Sequence, residues 1–436
     1  MSYETPFNST FDADEEIFEE FDEETLTEYV EKLKEHFSET SILVEPGGTT
    51  PFDPIAILKF PAQSGMHAVA IESPDDAELL LDASPPVNVV FFDSLLGYYD
   101  VDKKRALFAA RVISKTPVIT NRKIEKILAA LDPDYDEDKR SIQIHSPDGS
   151  KHIALRTPNQ LQRILLNNRS NVLIIGIHNE DFSESEDGIG YLCDLVDSLL
   201  LQIEATTNIP FKKISKGSRS AGVSVDLNTD ALSTATLDFP RYAYPKDSYD
   251  LYSYAIESFN TPILQFLAFY QSIEARMKEY ANISAQSILR SELMNPSFRI
   301  ESKESIYRLT QRLSKYIGRA DERSQLISAI EHCVDSQELA DFINTNPDMR
   351  RHITKGKAIP AKQLTLSSKS LVQDASNRIY DIRCMIVHAK EEDYDGQFRI
   401  LPNSDRAQHL HHDINLIWWI ARQVIGKSGY SIDRNA

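Results

Sequence analysis

One short stretch of this chain pairs two side-chain types that could cleave RNA without a metal. In Ser376-Asn-Arg-Ile-Tyr-Asp-Ile-Arg-Cys-Met-Ile-Val-His-Ala-Lys390, Arg383 and His388 stand near the end of an apolar, helix-like run. An arginine can hold a phosphate and neutralise its charge while a nearby histidine moves protons, which is what RNA strand cleavage needs without a metal. The spacing alone selects little. With 24 Arg and 11 His in 436 residues, chance gives about 0.6 such pairs. Arg140 with His145 and Arg406 with His411 repeat the spacing.

Context distinguishes the Arg383 pair. Glu274, in Phe269-Tyr-Gln-Ser-Ile-Glu274, is a carboxylate among apolar neighbours on a long helical run. A buried carboxylate calls for a cation, and Arg383 or His388 would serve. Arg350-Arg-His-Ile-Thr-Lys-Gly-Lys357, continuing to Lys362, reads as a basic loop just before the motif-bearing helix. Arg350, Arg351, Lys355, Lys357 and Lys362 are its candidate contacts to an RNA backbone. Arg140 and His145 fare worse, because His145 and His152 flank Pro147-Asp-Gly149, a hairpin turn signal that makes them strand-end residues. His409 and His412 share a helical face as a metal pair would. Only Asp405 and Asp413 lie near them in sequence, so solvated or RNA-facing histidines are the better reading, and no metal or other cofactor is expected.

The elements that must position these groups fall into two kinds. From about Ser248 the pattern is helical throughout: Tyr252–Tyr280 with an interruption near Pro262, then Ser284–Leu293, Lys303–Ile317, Glu322–Cys333, Ser336–Asn344, Leu366–Lys390 and Asp405–Ile425. Leu416-Ile-Trp-Trp-Ile420 belongs to a core or a dimer interface. Before Phe239-Pro-Arg-Tyr-Ala-Tyr-Pro245 the chain alternates instead. Strands are expected at Ile55–Phe60, His67–Ile71, Val87–Phe92, Val118–Thr120, Ser141–His145, Ile153–Arg156 and Val172–Ile177. Helices are expected at Ala77–Leu81, Lys103–Ile113, Asn121–Leu131, Pro158–Asn167 and Gly190–Ala205. Lys212-Lys213-Ile-Ser-Lys-Gly-Ser-Arg219 reads as a basic flexible loop. Gly188-Ile-Gly190 lacks the third glycine of a dinucleotide fingerprint and reads as a helix-start turn. The expected class is α+β: an acidic N-terminal segment (1–45), a mixed α/β domain (46–238) and an all-α bundle (239–436).

The long helix Phe266-Leu-x-Phe-Tyr-Gln-x-x-Glu274 and the late helix Ile382-Arg-x-x-x-x-His388 together resemble HEPN domains. The branch they resemble is that of bacterial anti-phage and methylamine-utilisation-like proteins, and the lead-in Phe239–Pro245 followed by Leu251-Tyr-Ser-Tyr-Ala255 is similar to it as well. The resemblance covers roughly residues 239–436. It implies a metal-independent endoribonuclease acting as a homodimer, with His388 as general acid/base, Arg383 stabilising the phosphorane and Glu274 orienting the pair. It also implies a defence or toxin setting in which a phage or host protein is the trigger. The family usually has a polar residue, often Asn, after the arginine; here it is Cys384, a poor hydrogen-bonding group. A non-catalytic dimerisation or binding module is the alternative.

Charge supports a division of labour. The net charge is −19, with −21 in residues 1–250 and +2 in residues 251–436. Residues 1–45 hold 15 acidic groups against two lysines. Ile17, Phe18, Phe21, Leu26, Tyr29, Val30, Leu33 and Phe37 form one face of an acidic amphipathic helix. That helix docks on the body of the protein, binds a partner, or shields a basic groove by mimicking phosphate charge. Three dispersed cysteines, the acidic start and the lack of a long apolar run suggest a cytoplasmic protein with no membrane span.

Overall fold

The computed structural model describes residues 23–48, 53–82, 88–113, 120–133, 135, 140–167, 169, 171–179, 186–216, 235–313, 321–387 and 399–432. In chain order the first elements are α1 (Glu23–His36), β1 (Leu43–Pro46), β2 (Ala56–Ala62), β3 (Gly65–Ile71), α2 (Pro74–Asp82), β4 (Val89–Phe91) and β5 (Gly97–Asp100). Next come β6 (Arg105–Val112), α3 (Asn121–Leu131), β7 (Ser141–His145), β8 (Lys151–Arg156), α4 (Gln160–Leu165), β9 (Leu173–Asn179), α5 (Glu186–Thr207) and β10 (Phe211–Lys213). After β11 (Tyr242–Ala243) the chain is helical: α6 (Lys246–Glu257), α7 (Pro262–Leu293), α8 (Lys303–Leu313), α9 (Glu322–Cys333) and α10 (Ser336–Thr345). It ends with α11 (Pro347–Lys355), α12 (Leu371–Val387), α13 (Asp405–Gln408), α14 (His411–Lys427) and β12 (Tyr430–Ser431). The class is α+β, with a mixed sheet region in the N-terminal part and helices in the C-terminal part. Among the described residues no helix is long and apolar enough to cross a membrane.

Two compact units divide the chain, Met1–Asp93 with Gly97–Asp102 and Asn159–Arg169, and Ser94–Leu96 with Lys103–Pro158 and Ser170–Ala436. In the first, β2 pairs antiparallel with β1 and β3 and touches β4 in parallel, while β4 pairs antiparallel with β5. Helix α1 packs on β1 and α2. Its Val30, Leu33 and Phe37 are buried, so the described part of the acidic amphipathic helix docks by its apolar stripe.

The second unit begins with an antiparallel run, β7-β8-β9-β6-β10. The hairpin between β7 and β8 turns at Pro147-Asp-Gly149, with Gly149 at a φ of 74° that other residues resist. Lys103–Ile113 is not the expected helix but strand β6, lying between β9 and β10. Ala106–Ala110 are all buried there, and a strand covered on both faces shows a continuous apolar run instead of alternation. Lys212 and Lys213 sit in strand β10 instead of a loop, paired with Glu257 (2.8 Å) and Asp197 (2.7 Å). The strand expected at Val118–Thr120 falls mostly outside the described residues.

Helices and strands of this unit share buried polar contacts. Glu204 on α5 accepts hydrogen bonds from Tyr252 of α6 and from Trp418 Nε1 of α14 (2.7 Å). Burial raises its carboxyl, Arg422 opposing. Arg422 donates to the Glu204 carbonyl (3.0 Å) and to Asn208 Oδ1 (3.0 Å). The core proper is α7, which buries Phe266, Phe269, Ile273 and Met277 in one cluster with Leu326, Ile330, Ile379, Ile382, Leu416 and Ile420. Pro262 at the first position of α7 accounts for the interruption after α6, as its missing N–H costs nothing there. The segment 284–293 continues α7 without a break, giving a helix of 32 residues. Trp419 stacks on Phe342 at 5.1 Å, so the Trp pair belongs to the core.

The second polar tie is a buried ion pair. Arg378 on α12 donates from Nε to Asp413 Oδ1 of α14 (2.6 Å) and from Nη2 to Oδ2 (3.1 Å), and His352 Nε2 of α11 lies 2.9 Å from the same carboxylate. Arg378 is 0 % and Asp413 1 % exposed. Burial opposes the Asp413 charge, but Arg378 and His352 outweigh it and hold the carboxyl low. Removing one partner leaves an uncompensated buried charge. Arg378→Met is therefore expected to lower the unfolding free energy by about 3–5 kcal/mol in urea titrations. Arg323→Met, which breaks the half-exposed Arg323–Asp381 pair, should lower it by no more than about 1 kcal/mol.

Candidate functional site

Arg383 projects from the last turns of α12, five residues beyond Arg378, roughly 140° around the helix and about 7.5 Å along it. The buried pair therefore fixes the helix and turns Arg383 toward a different neighbour. Its Nη2 lies 2.8 Å from Glu322 Oε1 in the first turn of α9, and its guanidinium lies 5.4 Å from the ring centre of Tyr270 on α7. Tyr270 Oη donates to the same Glu322 oxygen (2.7 Å). Three helices thus meet at one guanidinium, whose planar fork suits both the carboxylate and the ring face.

The electrostatics follow from this contact. Burial alone would depress Arg383, but Glu322 and Tyr270 outweigh it, so the guanidinium titrates above its usual value and stays charged. Burial and the Glu322 charge push the Tyr270 hydroxyl well up, keeping it a hydrogen-bond donor. Glu274 is exposed on α7 instead of buried as expected. Partial desolvation and the like charge of Glu322 raise its carboxyl, with Arg383 opposing. The direct carboxylate partner of Arg383 is thus Glu322, and Glu274 acts on it from the side. His388 lies outside the described residues, as do 389–398.

A polar surface adjoins Arg383. Arg323 on α9 pairs with Asp381 (2.7 Å), donates to Asn377 Oδ1 (3.0 Å) and covers the Tyr380 ring at 4.5 Å. Burial and Cys384 raise the Tyr380 hydroxyl. The sequence pattern does not single out Glu322 or Arg323. Their only local sign is Asp321, which caps α9 by accepting from Ser324 N and so places the next two residues in the first turn.

Residues 350–355 form helix α11 and not a loop. Asn346 caps it by accepting from Asp348 N and Met349 N, Pro347 starts it, and Met349 and Ile353 anchor it. Arg350, Arg351, Lys355, Lys357 and Lys362 are all exposed. Arg351 pairs with Asp348, and Lys362 lies 3.6 Å from Asp374.

Three histidines meet where α11 packs on α14, His352 from α11 and His411 and His412 from α14. The His352 and His412 rings are 5.1 Å apart, and His411 and His412 are 3.8 Å apart. Among the described residues His412 Nδ1 is buried without a hydrogen-bond partner. Burial, His411 and His352 press its pKa from 6.5 to about 4. His411 lines a cavity of about 550 Å³ together with Asn346, Met349, Asn415 and Trp418. Among the described residues no group of three or more His, Cys, Asp or Glu side chains is placed to hold a metal ion.

The chain matches no protein-family model, and neither curated proteins nor solved structures give a significant match.

His412 sets a pH dependence whose sign is fixed. Its folded value lies below its unfolded one, so the unfolded chain binds the extra proton, and stability falls as pH drops from about 6.5 to about 4. His412→Asn is expected to flatten the slope of unfolding free energy against pH near pH 5. The change is a fraction of the roughly 1.4 kcal/mol per pH unit that a full proton gives, because the side chain keeps some contact with water. Urea titrations from pH 4.5 to 7.5 measure it.

Proposed function

We propose that the C-terminal helical part is a HEPN-type, metal-independent endoribonuclease, working as a homodimer in a defence or toxin-type system, with the N-terminal part restraining or triggering it. The observation that supports this most is the fixed guanidinium of Arg383, held by Glu322 and the Tyr270 ring, five residues before His388. A charged donor held in place before substrate arrives does not have to reorganise as charge develops on the phosphorane. His388 is the proposed general acid/base for the 2′-hydroxyl or the leaving oxygen. Attack by the 2′-hydroxyl on phosphorus expels the 5′-oxygen, which takes up a proton, and leaves a cyclic phosphate. Glu274 tunes the charge balance beside Arg383. Exposed Arg350, Arg351, Lys355, Lys357 and Lys362 supply the phosphate contacts that position the strand.

A second reading is a non-catalytic dimerisation or binding module. The Arg383–Glu322 ion pair supports it, since a neutralised guanidinium has less charge to offer a phosphate.

Purified protein is expected to cleave RNA in EDTA, and Arg383→Ala and His388→Ala are each expected to lower the rate by about 100-fold or more. Cleavage that persists in both variants would overturn the catalytic reading. RNA left intact by a well-folded dimer, with and without a bound trigger, would favour the second.

A further inference from the structure

Four cationic or protonatable side chains form one row across the sheet of the second unit, far in sequence from Arg383. In the strand registers His145 of β7 faces His152 of β8, His152 faces His178 of β9, and His178 faces Arg105 of β6. Directly paired residues in neighbouring strands point to the same face, about 5 Å apart. The row therefore spans four adjacent strands on one surface. The ring centres are 5.8 Å apart for His145 and His152, and 4.8 Å for His152 and His178, the latter pair stacked. His178 Nδ1 lies 3.2 Å from the Lys103 carbonyl, which leaves its other ring nitrogen free of that contact. His145 is exposed, and His152, His178 and Arg105 are half-buried, so the row is open to solvent.

Helix α6 reaches this face at Glu257, away from the row. Helices α3 and α5 belong to the opposite one, where Ile153, Leu155, Ile175 and Ile177 are buried and where Lys213 reaches Asp197 of α5. Arg111, six residues along β6 on the His face, has its carboxylate in Glu257 at 2.8 Å. Arg105 has no carboxylate partner among the described residues, and its side chain lies flat over Gly176 of β9. A Cβ on Gly176 would come within 2.5 Å of Arg105 Nη2 and 2.9 Å of its Nε. The glycine is thus the space that lets the guanidinium lie down beside His178.

Like charges directly opposite one another in a sheet are unfavourable. At His152, burial, then His178, His145 and Arg105, all push the pKa down. No carboxylate offsets them. An anion seated on the row would reverse the balance, accepting from the arginine fork and from ring N–H groups, and would favour protonation of the imidazoles it touches.

We propose that Arg105, His178 and His152, with His145 at the rim, form a binding site for the phosphate groups of a small phosphate-bearing ligand, made by the cross-strand row and the space above Gly176. Inorganic pyrophosphate is the probe. Its spare charge matches a row of donors better than a monoanion does, and it separates a free phosphate ligand from the backbone of RNA.

The experiment is a titration of the full chain with pyrophosphate at pH 6.5, followed by the imidazole Cε1–H resonances and by calorimetry. Expected are saturable shifts of the His152 and His178 resonances, and binding weakened at least tenfold by Arg105→Gln and by Gly176→Ala. The Gly176 variant keeps every donor and displaces only the flexible end of Arg105, so it tests placement without removing charge. Thermal melting confirms that each variant is folded. The proposal is overturned if pyrophosphate leaves these resonances unmoved, or if Gly176→Ala binds like the wild type. It is equally overturned if only an oligoribonucleotide, and not pyrophosphate, shifts them.

Discussion

Arg378 and Asp413 form the contact on which the rest of the helical part depends. An arginine with no exposure is tolerated because Nε and Nη2 donate to one carboxylate, while Nη1 donates to the Lys362 carbonyl at 3.0 Å. The pair adds little net stability over a well-packed apolar contact. What it supplies is register. A guanidinium fork on a carboxylate accepts one geometry, so α12 cannot slide along or rotate against α14, and His352 brings α11 into the same arrangement.

With α12 fixed, the direction of Arg383 is fixed as well. The face it occupies meets α7 and α9, whose Tyr270 ring, centred 5.4 Å away, and Glu322 Oε1 hold it. This arrangement has two consequences that oppose each other. It keeps the guanidinium charged and oriented, and it screens part of that charge from any incoming phosphate. A second carboxylate nearby, on Glu274, gives the cluster a net acidic balance at neutral pH that a phosphate must overcome. The exposed cations of α11 and of the stretch to Lys362 lie outside this balance, although Arg351 and Lys362 have their own carboxylate partners in Asp348 and Asp374.

The sequence was most legible where the signal is local. Pro147-Asp-Gly149 marks the β7–β8 hairpin, and the helical pattern marks α3 and α9 with their observed ends. It misled where burial replaces pattern. In β6 the run Ala106–Ala110 is covered on both faces, so it carries no alternation, and its alanines suggest helix. Helix α11 was hidden by its basic composition, although Asn346-Pro347 is a start signal with a mechanism. Arg383 could be singled out from its type and context. Glu322, 61 positions earlier, could not, because which carboxylate meets an arginine is decided by how α9 packs on α12. The same holds for the His145–His152–His178–Arg105 row: only strand pairing makes neighbours of residues on β7, β8, β9 and β6.

The chemistry proposed for Arg383 and His388 rests on one atom of the substrate. If the 2′-hydroxyl is the nucleophile, an RNA oligonucleotide carrying a single 2′-deoxy sugar at the cleaved position should bind as the parent does and resist cleavage at that bond alone. The measurement is the cleavage pattern of the paired oligonucleotides in EDTA, with binding followed in parallel. Loss of that one product, at unchanged affinity, is the expected result. Cleavage of the 2′-deoxy linkage at the parental rate would contradict an internal nucleophile, and with it the roles given to Arg383 and His388.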